Sequence, residues 1–281
     1  IANDINDRAD TRSRHLFLKA LENRQDALKT NLNDYSDWGE AYLKLHKTTD
    51  VRWAWDRGNL GQSLYEMIGY DGVFVTDGSD ATRYSVVNGR LRNQKVEHWI
   101  GAPMLKSLRI ALDGTDGAAI VTPMEYNGKP ALVSAAWIRS GGDSIVDAGP
   151  GVPSLMVFID VLTEAELARM GREYGIDELH VRKPGEARPD YRQVTLALPR
   201  GNGQVTMVWR SEDPGHDLKA VILPLLIFLT LFTALVAGMS MRNALNKARL
   251  NDENAFLLEQ NRLALAASER RFRDVAEATT D

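Results

Sequence analysis

The 281-residue chain carries a formal charge of -4 from 34 basic and 38 acidic side chains, so it lacks the one-sided basic surplus of a nucleic-acid binder. Cysteine is absent, which removes disulfides, thiolate metal sites and thiol nucleophiles while leaving the compartment open. The length and a 44% hydrophobic share support one sizeable domain with a short tail.

Residues 1–33 are polar and helix-prone. Leu21, Leu28, Tyr35 and Tyr42 recur every seven residues, Leu18 and Leu32 fill in beside them, and neither Pro nor Gly occurs before Gly39. This predicts one long amphipathic stalk helix. Its apolar stripe has two candidate partners, the chain's own domain or a second subunit. The start at Ile1, without a signal-like segment, carries the expectation of an earlier membrane helix, and the chain reads as a piece cut at both ends. An aromatic cluster follows: Tyr35, Trp38 and Tyr42 at helical spacing, then Trp53, Trp55 and Asn59. A core or helix-to-sheet seam explains it, with a ligand or partner surface as the alternative.

From Gly69 the pattern turns to strands. GYDGVFVTD and RYSVVNGRL are two β-rich runs suited to pairing, joined by a turn at Asp77, Gly78 and Asp80 that lacks the ligand series of a calcium loop. APMLKSLRIALD, Ala102 to Asp113, reads as a short amphipathic helix opened by Pro103. AAIVTPMEY and KPALVSAAWI flank Asn127-Gly128, whose readiness for positive φ predicts a tight hairpin. A glycine-rich surface loop, SGGDSIVDAGPG, leads to the buried strand SLMVFIDVL. Thr163 and Glu166 form a capping box for a helix that Gly175 ends. ELHVRKP is a short strand, and YRQVTLALP with QVTMVWR makes a last pair turning at Gly201-Asn202-Gly203.

Ala220 to Met241 is uncharged throughout and bounded by Lys219 and Arg242. At ~1.5 Å per residue it covers the ~30 Å hydrocarbon core of a bilayer, and it has no wet stripe of the kind a buried core helix keeps. It reads as a transmembrane helix, with Pro224 in its first turn. Arg242, Lys247 and Arg249 precede the first acid on one side, whereas acids and bases mix on the other, so the tail is assigned to the cytoplasm. The tail continues without Gly or Pro. Asn254 and Asn261 lie one heptad apart beside Leu257, Leu258 and Leu265, the pattern of a register-setting Asn in a parallel dimeric coiled coil, with a single solvated helix as the alternative.

No catalytic signature is present. His15, His46, His98, His180 and His216 have no metal-ligand spacing, and there is no serine elbow, zinc helix or dinucleotide fingerprint. Neither catalytic residues, metal nor cofactor are expected in this stretch.

The tail's ASERRFRDVAEATTD resembles the opening of a PAS domain. The preceding region is similar to the fourth type of CHASE domain, an extracytoplasmic sensor of bacterial signalling proteins. The resemblance is carried by NDYSDWGEAY with Asp34, Tyr35, Trp38 and Tyr42, by Asn59, by GYDGVFVTD, and by TMVWRSEDPG with Trp209, Pro214 and Gly215. It implies an inner-membrane receptor with a periplasmic sensor and a cytoplasmic PAS domain. Beyond those it implies GGDEF and EAL outputs for cyclic di-GMP, or a histidine kinase. It brings no established ligand.

The expected architecture is α+β: a PAS/Cache-like antiparallel sheet on a long N-terminal helix, then a transmembrane helix and a cytoplasmic coiled-coil helix. The divisions are a stalk at 1–33, a sensor at 34–219, the span at 220–241, a signalling helix at 242–268 and the start of PAS at 269–281. The expected partners are a second copy, the membrane, and a small-molecule or protein ligand in the periplasm. Tyr126, Trp137, Arg139 and Asp143 are the ligand candidates. A membrane-anchored adhesion or scaffold protein and an extracytoplasmic hydrolase are the rival readings.

Overall fold

The structure is a computed structural model that describes residues 2–142, 151–186, 188–198, 203–211 and 214–278. The chain divides into two compact units, Asn3–Asp213 and Pro214–Asp281, with the first two residues grouped with the latter.

In the first unit, helix α1 (Ala2–Ser36) realises the expected stalk. Phe17, Ala20, Leu21, Leu28 and Leu32 are buried in the main core, so the stripe packs on the chain's own domain. Burying each large side chain is worth roughly 1.5–3 kcal/mol. Leu18 departs from the expectation: it is 41% exposed, because it sits about 100° round the helix from Phe17. The helix stops at Ser36, whose carbonyl accepts the Arg139 N–H at 2.8 Å, and Trp38 is already extended. Tyr35, Trp38 and Tyr42 therefore do not share one helix. A single turn, α2 (Gly39–Ala41), and π-helical turns at Tyr42–Lys47, Arg52–Asp56 and Leu64–Ile68 follow. Tyr42 and Trp53 enter the core, Tyr35 meets Phe158 edge-on, and Trp38 stays 38% exposed against Trp53. Asn59 donates to the Trp53 carbonyl at 2.9 Å, and Asp34 is exposed.

The central sheet contains β1 (Gly72–Thr76), β2 (Thr82–Val87), β3 (Arg90–Leu91), β4 (Ile120–Tyr126), β5 (Lys129–Trp137) and β6 (Leu155–Val161). They are antiparallel throughout, in the order β3-β2-β1-β6-β5-β4, which is the expected PAS/Cache-like sheet. Alternation sorts the strands cleanly. Val73, Val75, Leu132, Met156 and Phe158 join the α1 core, whereas Phe74, Val133, Val157 and Ile159 join a second core under α3 (Val96–Ile100) and α4 (Ala102–Asp113). Cover on both faces explains why β1 and β6 are buried along their whole length.

The hairpin at Asn127-Gly128 forms as expected, with φ of 49° and 74°. A second hairpin of the same kind corrects the sequence reading. RYSVVNGRL is two strands, because Asn88 and Gly89, at φ 48° and 68°, turn β2 back into β3. The Asp77 turn is held internally: Asp77 accepts hydrogen bonds from Ser79, Ala81 and Arg83. Residues 143–150 of the glycine-rich loop, with Gly201 and Asn202 of the last turn, lie outside the described residues.

Helix α5 (Glu164–Tyr174) has half of the expected capping box, Thr163 accepting from the Glu166 N–H while its own N–H goes to the Val161 carbonyl and the Glu166 carboxylate to Arg24 and Arg169, and it ends at left-handed Gly175. A separate sheet, β7 (His180–Val181), β9 (Gln204–Arg210) and β8 (Tyr191–Ala197) in that order, packs against the early part of α1. Trp209 stacks on Phe17 at 5.7 Å, and its indole N–H finds no partner among the described residues. Nearby, Asp10 of α1 pairs with Arg192 of β8 and accepts the Ser211 hydroxyl at 2.8 Å.

The second unit is one helix, α6 (Pro214–Ala278), continuous over 65 residues. Pro214 and Gly215 open it, Pro occupying the first position where its missing N–H costs nothing. Pro224 is consequently in the helix interior rather than in a first turn. Within it, Ala220–Leu263 is long and apolar enough to cross a membrane, with a mean hydropathy of 2.7 over its best window and no burial there. Asn254 and Asn261 are exposed on the single chain.

Candidate ligand-binding site

The antiparallel sheet has two ends, and the four ligand candidates divide between them. Tyr126 pairs with Lys129 beside the Asn127-Gly128 turn, whereas Trp137 closes β5 at the other end. Eight residues of strand separate Lys129 from Trp137, roughly 26 Å at about 3.3 Å per residue. Trp137 lies under the Arg109 guanidinium, 5.1 Å from its ring centre. Arg109 is itself bonded to Asp80, to Thr76 and to the Asp77 and Pro153 carbonyls, so that corner is a saturated structural clasp. Arg139 bonds the Asp116 carbonyl and pairs with Asp37 at 3.5 Å, tying β5 to the end of α1. Asp143 lies outside the described residues. The structure thus brings Trp137 and Arg139 to one end and leaves Tyr126 at the other.

Tyr126 lines a cavity of about 510 Å³, within the range of small-molecule sites. The cavity opens where β1, β5 and β6 meet the turns. Trp99 of α3 lies flat against Tyr126, with ring centroids 4.2 Å apart and planes 3° from parallel. Gln94 fixes the Trp99 ring by accepting its indole N–H at 3.0 Å. Tyr65, Lys129 and Asp71 also line the wall.

Asp71 is the carboxylate at this site. One oxygen accepts the Val161 N–H at 2.8 Å, and among the described residues no cation stands within ion-pair range of it. Burial pushes its pKa up to about 6; the Val161 N–H opposes this, while the neighbouring Asp160 and Glu166 carboxylates add to it. The register explains the crowding. Gly72 opposes Ile159, which sets Asp71 across from Asp160. Asp160, fully buried on the α1 face, is held by Arg24 of α1 in a two-pronged pair at 2.5 and 2.8 Å. The same guanidinium reaches Glu166 of α5 at 3.1 Å. Asp160 and Glu166 therefore share one arginine of α1, and Asp71, across from Asp160, lines the cavity.

Sequence reasoning missed Asp71, Trp99 and Arg24 because nothing local marks them. Only the antiparallel register and the packing of α1 and α3 on the sheet bring them near one another.

Two other places hold a groove and a polar pair. An apolar groove of about 520 Å³ runs between α4 and edge strand β4, lined by Met104, Leu108 and Ile120. His46 Nδ1 lies 2.9 Å from the Ser154 hydroxyl and also accepts the Ser154 N–H at 3.2 Å, so its lone pair is already engaged by backbone. Burial lowers the His46 pKa, with Lys47 adding to the effect. Among the described residues no carboxylate bonds its other nitrogen, and no three His, Asp or Glu side chains converge as a metal group would.

No curated protein matches the chain. Among solved structures it is similar to the periplasmic domain of Vibrio cholerae LuxQ, at 12% identity and a TM-score of 0.39, covering 74% of this chain and 98% of that one. It is also similar to the extracellular domain of vpHK1S-Z8, described as a histidine kinase, at 9% identity and 0.39, covering 76% and 97%. A third is the ligand-binding domain of the Campylobacter jejuni chemoreceptor Tlp3, solved with L-valine, at 9% identity and 0.27, covering 76% and 92%. Scores this low transfer no residue roles. The CHASE4 domain, by contrast, matches residues 20–182, which includes the stalk from Ala20, the whole central sheet and the cavity. The chain therefore belongs to the CHASE4 domain family, the extracytoplasmic sensor family that its motifs resemble.

Proposed function

We propose that this chain is the sensing and transmitting part of a bacterial inner-membrane receptor. Its first unit would lie in the periplasm, α6 would cross the membrane, and the tail would drive a cytoplasmic output, cyclic di-GMP synthesis or degradation or a histidine kinase. The observation that carries the reading is the line of contact along α1. Arg24 of this helix holds Glu166 and Asp160, the latter across from the cavity's Asp71, and its Asp10 holds Ser211, the last described residue before α6. A ligand that favours one placement of Asp71 therefore acts on a helix anchored at the exit of the domain. Such a ligand shifts output only as far as it binds the two arrangements differently. Pairing of two copies through α6, with Asn254 and Asn261 in register, is part of this proposal, as is the absence of any catalytic step in the chain itself.

The test is a phase experiment on the receptor with its native cytoplasmic output. One residue inserted after Met241 rotates everything downstream by about 100°, whereas seven nearly restore the phase. The expected result is altered output from the first and near-normal output from the second. Equal, unaltered output from both would favour the anchored adhesion or scaffold reading.

A further inference from the structure

We propose that the cavity beside Asp71 is a site for a small organic cation, an ammonium carried on an apolar or aromatic body. The inference deepens the sensor reading and rests on it for its biological meaning, though not for its chemistry.

Three features of the wall select this class. The first is a carboxylate without a counter-ion. Asp71 has the Val161 N–H and, among the described residues, no cation within ion-pair range, since Arg24 is committed to Asp160 and Glu166. The second is the platform. Tyr126 stacked on Trp99 presents a rigid aromatic surface whose orientation Gln94 secures, and aromatic faces attract cations as well as apolar groups. Tyr65 adds a further ring at the rim. The third is the sign of the surroundings. Asp160 on β6 and Glu166 on α5 make the field at Asp71 more negative, Arg24 on α1 offsets part of it, and Lys129 is an exposed side chain in the cavity lining. An anion entering here would meet the Asp71 carboxylate, with the exposed Lys129 as the one lining cation. A neutral ligand would leave Asp71 buried and uncompensated. A cation supplies the missing charge, and about 510 Å³ accommodates a body the size of a phenylalkyl or short polyamine chain.

The arrangement also sets the direction of a pH effect. Asp71 must be ionised to hold an ammonium, so affinity falls on acidification through about 6, the range to which burial and its acidic neighbours have moved this group.

The test is calorimetric titration of the intact chain in nanodiscs with 2-phenylethylammonium, 2-phenylethanol and 3-phenylpropionate. The expected order places the ammonium first by about tenfold or more over the neutral alcohol, with the carboxylate weakest. Asp71→Asn keeps an acceptor for the Val161 N–H and should lower ammonium affinity by about tenfold while erasing its pH dependence. Tyr126→Ala should weaken binding too, and Arg139→Ala, at the far end of the sheet, should not. Ammonium binding no tighter than the alcohol, no ammonium binding at all, or unchanged affinity in Asp71→Asn with its fold intact by circular dichroism would each overturn the proposal. Binding is read in this chain alone and transmission in the cytoplasmic output. A receptor that responds to insertion phase but not to ammonium rejects the ligand class and spares the sensor reading; the converse rejects transmission and spares the site.

Discussion

Removing Arg24 tests the central contact of the fold. The Asp160 side chain is 1% exposed and takes both of its strong hydrogen bonds from that guanidinium, which is itself 18% exposed. Arg24→Ala leaves a buried carboxylate with no cation in contact and also takes one partner from Glu166, which keeps Arg169. Breaking a buried pair by removing one member costs about 3–5 kcal/mol. For a unit the size of Asn3–Asp213 each kcal/mol moves the melting temperature by about 2–4 °C, so a fall of roughly 6–20 °C is expected. Tryptophan fluorescence of the intact chain in nanodiscs reads this directly, because all six tryptophans, from Trp38 to Trp209, lie in that unit. Two companions separate charge burial from lost packing. Acidification should relieve Arg24→Ala more than the native protein, since protonating Asp160 removes the stranded charge. Arg24→Met combined with Asp160→Leu should recover most of the loss, because a buried pair exchanged for apolar groups is often neutral. A single substitution costing under about 1 kcal/mol, or a double variant no better than the single, would refute the argument.

Asp71→Asn should change the pH dependence of stability in a defined direction. Asp71 has a folded pKa of about 6 against about 3.9 unfolded, so the folded state keeps a proton that the unfolded state has lost between those values. Its contribution is therefore most favourable below the unfolded pKa and declines as pH rises through about 6. The melting-temperature difference between variant and native protein should grow in the variant's favour from about pH 4 to about pH 7, and a flat difference would contradict the assignment. Gly128→Val isolates backbone strain: φ is 74° and nothing lies within 4 Å of the new Cβ, so the expected loss is about 1–2 kcal/mol by thermal melting, with strand content unchanged by circular dichroism.

Several elements were legible because their signals are local. The Thr163 and Glu166 cap, the Asn127-Gly128 turn and the Ala102–Asp113 helix depend on residues within a turn or two of one another. The same turn chemistry was available at Asn88-Gly89, and the strand-like residues on both sides obscured it. Tyr35 and Tyr42 reach the core as expected, but the cluster does not lie on one helix. Its spacing is helical, but the Arg139 N–H on the Ser36 carbonyl and the extended backbone at Trp38 end the helix there.

The sequence by itself determined the classes of interaction: an α+β sensor-like domain, an uncharged segment long enough to span a bilayer, a stalk helix with one apolar stripe, and membership of a family recognisable from short motifs. Hydrophobic period, glycine and proline placement and capping are all set by neighbours along the chain. The tertiary structure alone decided which side chains share a cavity. Tyr126 and Trp137 belong to one hairpin yet stand at opposite ends of it, whereas Arg24, Asp71 and Asp160 are far apart in the chain and meet in one cluster. Strand register and the packing of α1 across the sheet produce that meeting, and both depend on contacts between residues scores of positions apart.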